Sequence, residues 1–493
     1  MSLIDLRAFR KSSLIILTGT MLGQAVGYIY TVFAANLAGP LSFGYYSLAL
    51  SAVALLVGAL NLGLNRTVVR FVAIYHSAQN REKLKGTIWF VGSFLLSLGV
   101  LFGVAASYAA EPIAQFYFGT GSMRNLVTFC AWIIPICMMM NFGFDVLRGI
   151  GCAEYRTYFE NILQKVLRLP ILFAGFGPDA LTTLIGAELA SYGAALVLTM
   201  KQIHRRFGSV LSQAGASIPA KDILSFSLPL VPASILTAFG GQSEVLILGW
   251  LGFVLEAGAL SIAVRSTSFG SVILAAFNSN LAPLISQLSE ERRVDELRAV
   301  FRRTTIWQLR MILGWSGLLI VLSTDLLSLF GPAYPACTNA LVILSLKQVA
   351  DTILGPVGLV ITMSGFAGLS LLNNLLYFVL SIVLDVVLIP PLGVTGAAIS
   401  ILVTTVALNG IVSWQVWKVF RIHALSRETV ALVVCFVGAL LLSFITKKFF
   451  YFDSSRMVRV CLTCFLYSTV YVACIGCIRL WRYGGRRNRP VFS

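Results

Sequence analysis

The run Ala431-Leu432-Val433-Val434-Cys435-Phe436-Val437-Gly438-Ala439-Leu440-Leu441-Leu442 is free of charge, and the uncharged stretch around it reaches from Glu428 to Lys447. A helix needs about 20 mainly apolar residues to cross a hydrocarbon layer ~30 Å thick, and this stretch has that length and composition. Comparable windows surround Ala52–Leu62, Leu95–Val104 and Leu313–Leu322. Hydrocarbon offers no partner to a backbone N–H or C=O, so only helices or closed barrels can span it. These windows lack strict alternation and are too long for barrel strands, which leaves helices. The whole chain agrees, with 58% of its 493 residues hydrophobic and 12% charged. Soluble domains run at about 45–50% and about 25%, and a soluble surface must be largely polar or charged.

Working outward from that window, about fourteen spans emerge at ~20 residues each. They cover approximately 12–36, 42–64, 87–110, 124–145, 158–177, 180–200, 222–249, 256–283, 306–330, 337–363, 367–389, 394–418, 429–446 and 458–479. The first block is too long for the apolar core of a cleavable signal and reads as a span. With a cytoplasmic N-terminus, roughly 27 basic residues fall inside and about five outside, a strong positive-inside bias. The inside group includes Arg7, Arg70, Lys83, Arg205, Arg293 and the tail residues Arg486 and Arg487. The outside exceptions concentrate at Lys447, Lys448, Arg456 and Arg459, around the turn between the last two spans. Both termini are expected to be cytoplasmic.

This layout excludes several classes of function. No connection exceeds about two dozen residues, short of the ~50 of a small domain, so no soluble catalytic domain has room to fold. No GxxxxGK[ST] phosphate loop is present. The net charge of +17 sits in short connections and at span ends, where topology and anionic headgroups explain it better than nucleic acid does. Most of the nine cysteines lie within apolar blocks, and His76, His204 and His423 sit in separate loops without ligand spacing. No metal site, catalytic site or cofactor is expected.

The chain also shows a weak internal echo. Gly44-Tyr45-Tyr46-Ser47-Leu48-Ala49 in the second span matches Gly258-Ala259-Leu260-Ser261-Ile262-Ala263 in the eighth in Gly, Ser and Ala at constant offset. Each helix leads toward a charged, helix-like stretch, Glu82-Lys83-Leu84 and Asp295-Glu296-Leu297. Copies six spans apart share orientation, which fits two parallel six-helix lobes and an extra pair.

Further residues carry a family resemblance. Leu37-Ala38-Gly39-Pro40-Leu41-Ser42-Phe43-Gly44-Tyr45-Tyr46-Ser47 is followed by Asn61-Leu62-Gly63-Leu64, Val69-Arg70-Phe71-Val72-Ala73, Leu147-Arg148-Gly149 and Phe226-Ser227-Leu228-Pro229. Over residues 12 to 420 the chain resembles the polysaccharide or oligosaccharide flippases, within the superfamily that also holds multidrug exporters and the lipid II flippase. The resemblance implies an all-α polytopic membrane protein of about 14 transmembrane helices, two six-helix lobes around a central cavity and a C-terminal helix pair. The lobes would be 1–215 and 216–424, with 425–493 holding the last pair and a basic tail. It also implies a basic cavity for a lipid-linked anion, with membrane lipids as surroundings.

Ionised side chains at mid-bilayer cost about 2.5–3.5 kcal/mol on insertion scales, so each such residue marks a wet cavity or a pair. Glu160, Asn161, Gln164, Lys165 and Arg168 in the fifth span are spaced to share one helical face. They form either a cationic wall or a snorkelling helix end. In the eighth span Ser261, Arg265 and Ser268 follow one face, and Arg265 lies far from either end. A guanidinium stays charged and grips phosphate oxygens through two parallel N–H bonds, so Arg265 is the leading cargo-binding candidate. Lys347 and Asp351 sit one turn apart in the tenth span, as a functional or a purely structural pair. Glu188 and Glu244 have no partner nearby in sequence, and each is either an ion-coupling group or the mate of a cation on another helix. Asp385 falls near a predicted span end, where solvation explains it. Gln24 and Tyr28 belong to a polar stripe on the first span that suits sugar hydroxyls or helix joining. Pro229, Pro232 and Gly240-Gly241 offer a bend in the seventh span.

The candidate substrate-binding set is therefore Arg265, Lys165, Arg168, Lys347, Gln24 and Tyr28, and the ion-coupling set is Glu244, Glu188 and Asp351. The expected function is flipping of a polyprenyl-diphosphate-linked oligosaccharide across a bacterial cytoplasmic membrane, with H+ or Na+ as possible coupling ion and other polysaccharide-assembly proteins as possible partners. An ion-coupled exporter of cationic drugs and a membrane-embedded polysaccharide polymerase are the alternatives. The first predicts a cavity dominated by acids, and the second a large outer loop.

Overall fold

A computed structural model describes residues 3–118, 121–175, 179–212, 215, 217–424, 426–450, 460, 463–473 and 475–476. Every regular element among the described residues is helical. Among the described residues nine helices are long and apolar enough to cross a membrane, or ten with the bent pair Tyr334–Ile353 and Val357–Met363 taken as one span. The chain is thus a multi-pass helical membrane protein. Two of the nine, Ile15–Leu60 with 46 residues and Gly368–Phe420 with 53, run to more than twice the ~30 Å of a bilayer core at ~1.5 Å per residue. Each is interrupted where the sequence reading ends one span and starts another. Gly39 takes φ 76, ψ 165 before Pro40, and Gly393 takes φ 55, ψ −134 after Pro390 and Pro391. A left-handed φ is open to glycine at no steric cost, and proline removes the hydrogen bond that would carry the helix through.

The chain divides into two compact units, 1–261 and 262–493. The first unit holds α1 (Leu3–Leu60), α2 (Leu64–Ser77), α3 (Arg81–Tyr108), α4 (Ala110–Phe118) and α5 (Arg124–Gly149). A continuous helical stretch follows: α6 (Glu154–Arg156), a π-helical segment (Thr157–Leu163) and α7 (Gln164–Ala174). Next come α8 (Ala180–Ser212), α9 (Ala220–Ser227), α10 (Val231–Phe239), α11 (Ser243–Trp250) and the first turns of α12 (Val254–Glu290). The expected charged helix at 82–84 is instead the first turn of α3, capped by the Asn80 side chain accepting from the Lys83 N–H at 3.0 Å. The connecting helix is α2, with Thr67, Val68, Val72 and Tyr75 turned inward. His76 and His204 lie on α2 and α8 rather than in loops. The expected seventh span breaks at Gly240–Gln242, between α10 and α11.

The helices that carry the sequence echo meet inside this unit. A Cβ on Gly258 would stand 3.1 Å from the Gly44 Cα, and one on Gly44 would collide with the Val254 carbonyl oxygen. Backbones approach that closely only where both faces are small.

The second unit holds the rest of α12, α13 (Val294–Val321), α14 (Ser323–Ser328), α15 (Thr338–Ile353), α16 (Val357–Met363), α17 (Ala367–Phe420) and α18 (Arg427–Phe450), with a final helical piece α19 (Thr463–Ala473). Leu281, Ile285, Leu297, Phe301, Val360 and Val416 build a core among α12, α13, α16 and α17. A second core joins α13, α15, α18 and α19 through Leu309, Leu313, Phe436 and Tyr467. The α19 tyrosines fasten to α13, since Tyr467 donates to the Leu313 carbonyl at 2.9 Å and Tyr471 to the Arg310 carbonyl at 2.7 Å. The two halves of α17 lie antiparallel, held by reciprocal Asn373–Gln415 side-chain bonds of 2.8 and 2.9 Å. Residues 177–178 of the expected fifth connection, and 456, 459 and 477–493 near the chain end, lie outside the described residues.

Candidate functional site

In the first unit the polar residues of the fifth span do not share one face. A backbone bond from Gln164 N–H back to the Phe159 carbonyl spans five residues, the signature of a π turn, which is wider than an α turn. Each side chain beyond it is therefore aimed differently. Arg156 pairs with Glu160 at 2.6 Å within the helix. Asn161 donates to Thr20 of α1 at 3.2 Å, and Gln164 turns to Met140 of α5. Arg168 reaches α8, where its guanidinium stands 2.6 Å from Glu188.

That last pair is dry. Arg168 is 7% and Glu188 0% exposed. Tyr46 of α1 hydrogen-bonds the same carboxylate, and Ser191 accepts from the Arg168 Nε at 3.1 Å. The Arg168 guanidinium lies 5.9 Å from the Tyr30 ring centroid and 5.4 Å from that of Tyr192, so aromatic faces enclose it. Two charges leave water only where attraction and hydrogen bonds offset the desolvation, and α1, α7 and α8 converge to supply them here.

The remaining first-unit candidates gather along α1. Gly19, Gly23 and Gly27 recur every four residues and form the face that meets the π segment. A Cβ on Gly23 would collide with the Asn161 carbonyl oxygen, and one on Gly27 would touch the Lys165 Cδ at 3.0 Å. Lys165 thus lays its stem across α1 beside Tyr28 and one turn from Gln24, all three half-buried. A Gly23→Ala variant is expected to lose about 1–3 kcal/mol by overpacking. A Cβ on Gly186 of α8 meets nothing within 4 Å, so Gly186→Ala should be neutral or gain up to about 1 kcal/mol. Thermal melting of the two purified variants reads the contrast. Glu244 of α11 is buried at 5% exposure.

The second unit brings a different set together. Lys347 Nζ lies 3.8 Å from Asp351 Oδ2, with the side chains still 26% and 36% exposed. Asn409 of α17 donates to the other Asp351 oxygen at 3.0 Å. Arg265 is half-buried on α12, and Ser268 donates to its carbonyl at 2.6 Å. A short distance along the same helix, Gly270 packs on Gln348, the neighbour of Lys347, with 3.2 Å from its Cβ position to the Gln348 Cγ. Gln308 of α13 donates to Asn278 of α12 at 2.9 Å.

Asp385 departs from expectation. It is fully buried in the α17 hairpin rather than solvated, with Ser381 donating to one oxygen at 3.4 Å. The second half of the hairpin covers it, and the Ser400 hydroxyl lies 3.5 Å from the Ser381 carbonyl. Sequence reading also missed Tyr46, Asn409 and buried Asp145 as members of polar clusters. The four-residue spacing of Gly19, Gly23 and Gly27 was the one available signal for the α1 contact. Among the described residues no cluster of metal-ligating side chains occurs.

Comparison with known proteins then adds to this geometry. A sequence model described as polysaccharide biosynthesis protein matches residues 9–289, more than half of the chain. A probable flippase, AglR of Haloferax volcanii, is 21% identical over 390 residues, which is 77% of each chain. Among solved structures, the lipid II flippase MurJ aligns with a TM-score of 0.72 at 11% identity, over 94% of this chain and 98% of its own. A multidrug resistance MATE family transporter of the MOP superfamily aligns at 0.71 and 16% identity, over 83% and 98%. These two likenesses establish a shared fold.

Proposed function

The chain belongs to the polysaccharide biosynthesis protein family, and from that premise we propose that it flips a polyprenyl-diphosphate-linked oligosaccharide from the cytoplasmic to the outer leaflet. One observation carries the cargo assignment. Lys347 keeps a quarter of its side chain exposed within an apolar helix, and its partner Asp351 has a second donor in Asn409. A diphosphate can therefore draw Lys347 away without stranding a bare carboxylate. Arg265, half-buried on α12, would take the diphosphate through paired N–H bonds. Lys165, Gln24 and Tyr28 are further proposed cargo-binding residues. Arg168 is already committed to Glu188, and in this reading the pair holds helices together rather than contacting cargo.

With the inside negative, moving each anionic charge outward releases about 2.3 kcal/mol per 100 mV. H+ or Na+ exchange could add to this through Glu244 or Asp351. We place the protein in a cytoplasmic membrane, bacterial and with both termini inside, acting as a transporter beside other polysaccharide-assembly proteins. The name of AglR as a probable flippase supports the reading.

Vesicles reconstituted with the purified protein and loaded with fluorescent polyprenyl-diphosphate oligosaccharide test it. A membrane-impermeant quencher should reach the inner-leaflet label only when the protein is present. Protein-dependent uptake of cationic dyes without lipid movement would replace this reading with the drug-export one. Lengthening of the glycan would replace it with a polymerase.

A further inference from the structure

The start of α13 and the end of α17 meet at a corner that the transport reading leaves unused. Buried and outward residues alternate in the connection after α17. Ile422 and Ala424 enter the core with Leu297 and Phe301, so Arg421 and His423 point outward, both exposed. Arg302 of α13 meets His423, with Nε 3.4 Å from its carbonyl and one terminal nitrogen 3.3 Å from its ring. Arg421 caps the C-terminus of α17 in the left-handed region at φ 54, a conformation that commonly ends a helix, with its N–H bonded to the Trp417 carbonyl. Its guanidinium lies 4.7 Å from the ring centroid of Trp417, and the Lys418 ammonium lies 5.3 Å from that of Trp414.

Both tryptophans are largely exposed, at 57% for Trp414 and 43% for Trp417. No carboxylate among the described residues forms an ion pair with Arg302, Lys418 or Arg421. The nearby Glu428 is held by Arg310 at 2.5 Å. The corner therefore presents three cations, Arg302, Lys418 and Arg421, beside two indoles at the end of a membrane helix. Tryptophan favours the headgroup level of a bilayer, and clustered cations there attract anionic lipid.

We propose that this corner binds the headgroup of an anionic phospholipid from the surrounding leaflet. Arg302, Lys418 and Arg421 hold the phosphate, and Trp414 and Trp417 lie along the glycerol and upper acyl chain. The site depends on no assumption about the transported cargo.

The test is native mass spectrometry of the full chain in detergent with equal amounts of phosphatidylglycerol and phosphatidylcholine. Wild type should retain phosphatidylglycerol preferentially. Arg302→Gln with Arg421→Gln should reduce that preference about 25-fold, from about fivefold per cation near the surface. Lys201→Gln with Arg205→Gln removes equal charge from the first unit and should leave it intact. Millimolar glycerol phosphate should not displace the lipid, which separates a membrane ligand from a free anion. Brominated phosphatidylglycerol should quench tryptophan fluorescence less in Trp417→Phe than in wild type. An unchanged preference in the Arg302/Arg421 variant, an equal loss in the Lys201/Arg205 control, displacement by glycerol phosphate, or unaltered quenching in Trp417→Phe would each overturn the proposal.

Discussion

Glu188→Ala is expected to destabilise the protein by roughly 3–5 kcal/mol, because it leaves the Arg168 guanidinium charged and unmatched away from water. Arg168→Ala should cost a similar amount by stranding Glu188. The neighbours cannot compensate, since Tyr46 and Ser191 offer hydroxyls and Tyr30 and Tyr192 offer ring faces. A double Arg168→Leu, Glu188→Leu variant should recover most of the loss, because removing both charges also removes both desolvation penalties. Melting midpoints in detergent for the three variants decide the matter. Equal instability of single and double variants would show that shape, rather than charge pairing, makes the contact.

Arg265→Ala is expected to lower transport in the vesicle assay about ten- to a hundredfold while the melting midpoint stays within a degree or two. That range corresponds to a charge-assisted hydrogen bond worth roughly 1.5–3 kcal/mol. Arg265→Lys keeps the charge but loses the planar fork, so it should fall between wild type and alanine. Lys347→Ala should be milder, because Asp351 keeps its bond from Asn409. Wild-type transport by Arg265→Ala would remove this residue from cargo binding.

The spanning helices were legible because hydrocarbon imposes one demand on every residue of a window. The breaks at Gly39 and Gly393 were legible too, since glycine beside proline marks them. The partners of the charged side chains were harder. Glu188 and Arg168 are twenty residues apart in sequence, and only the packing of α7 on α8 shows that they meet. The common face assigned to Glu160 through Arg168 failed because the spacing rule assumes 3.6 residues per turn, and no residue type announces a π turn. Asp385 looked like a helix-end acid because its position was judged along one helix, while the second half of its own hairpin covers it.

The widened turn at Thr157–Leu163 has a further consequence for how this sequence can vary. One surplus residue shifts the angular phase of everything after it. Trimming a single residue there would turn α7 by about 100° and swing Arg168 off Glu188 with no change to either side chain. Insertions and deletions in this stretch are therefore more disruptive than substitutions.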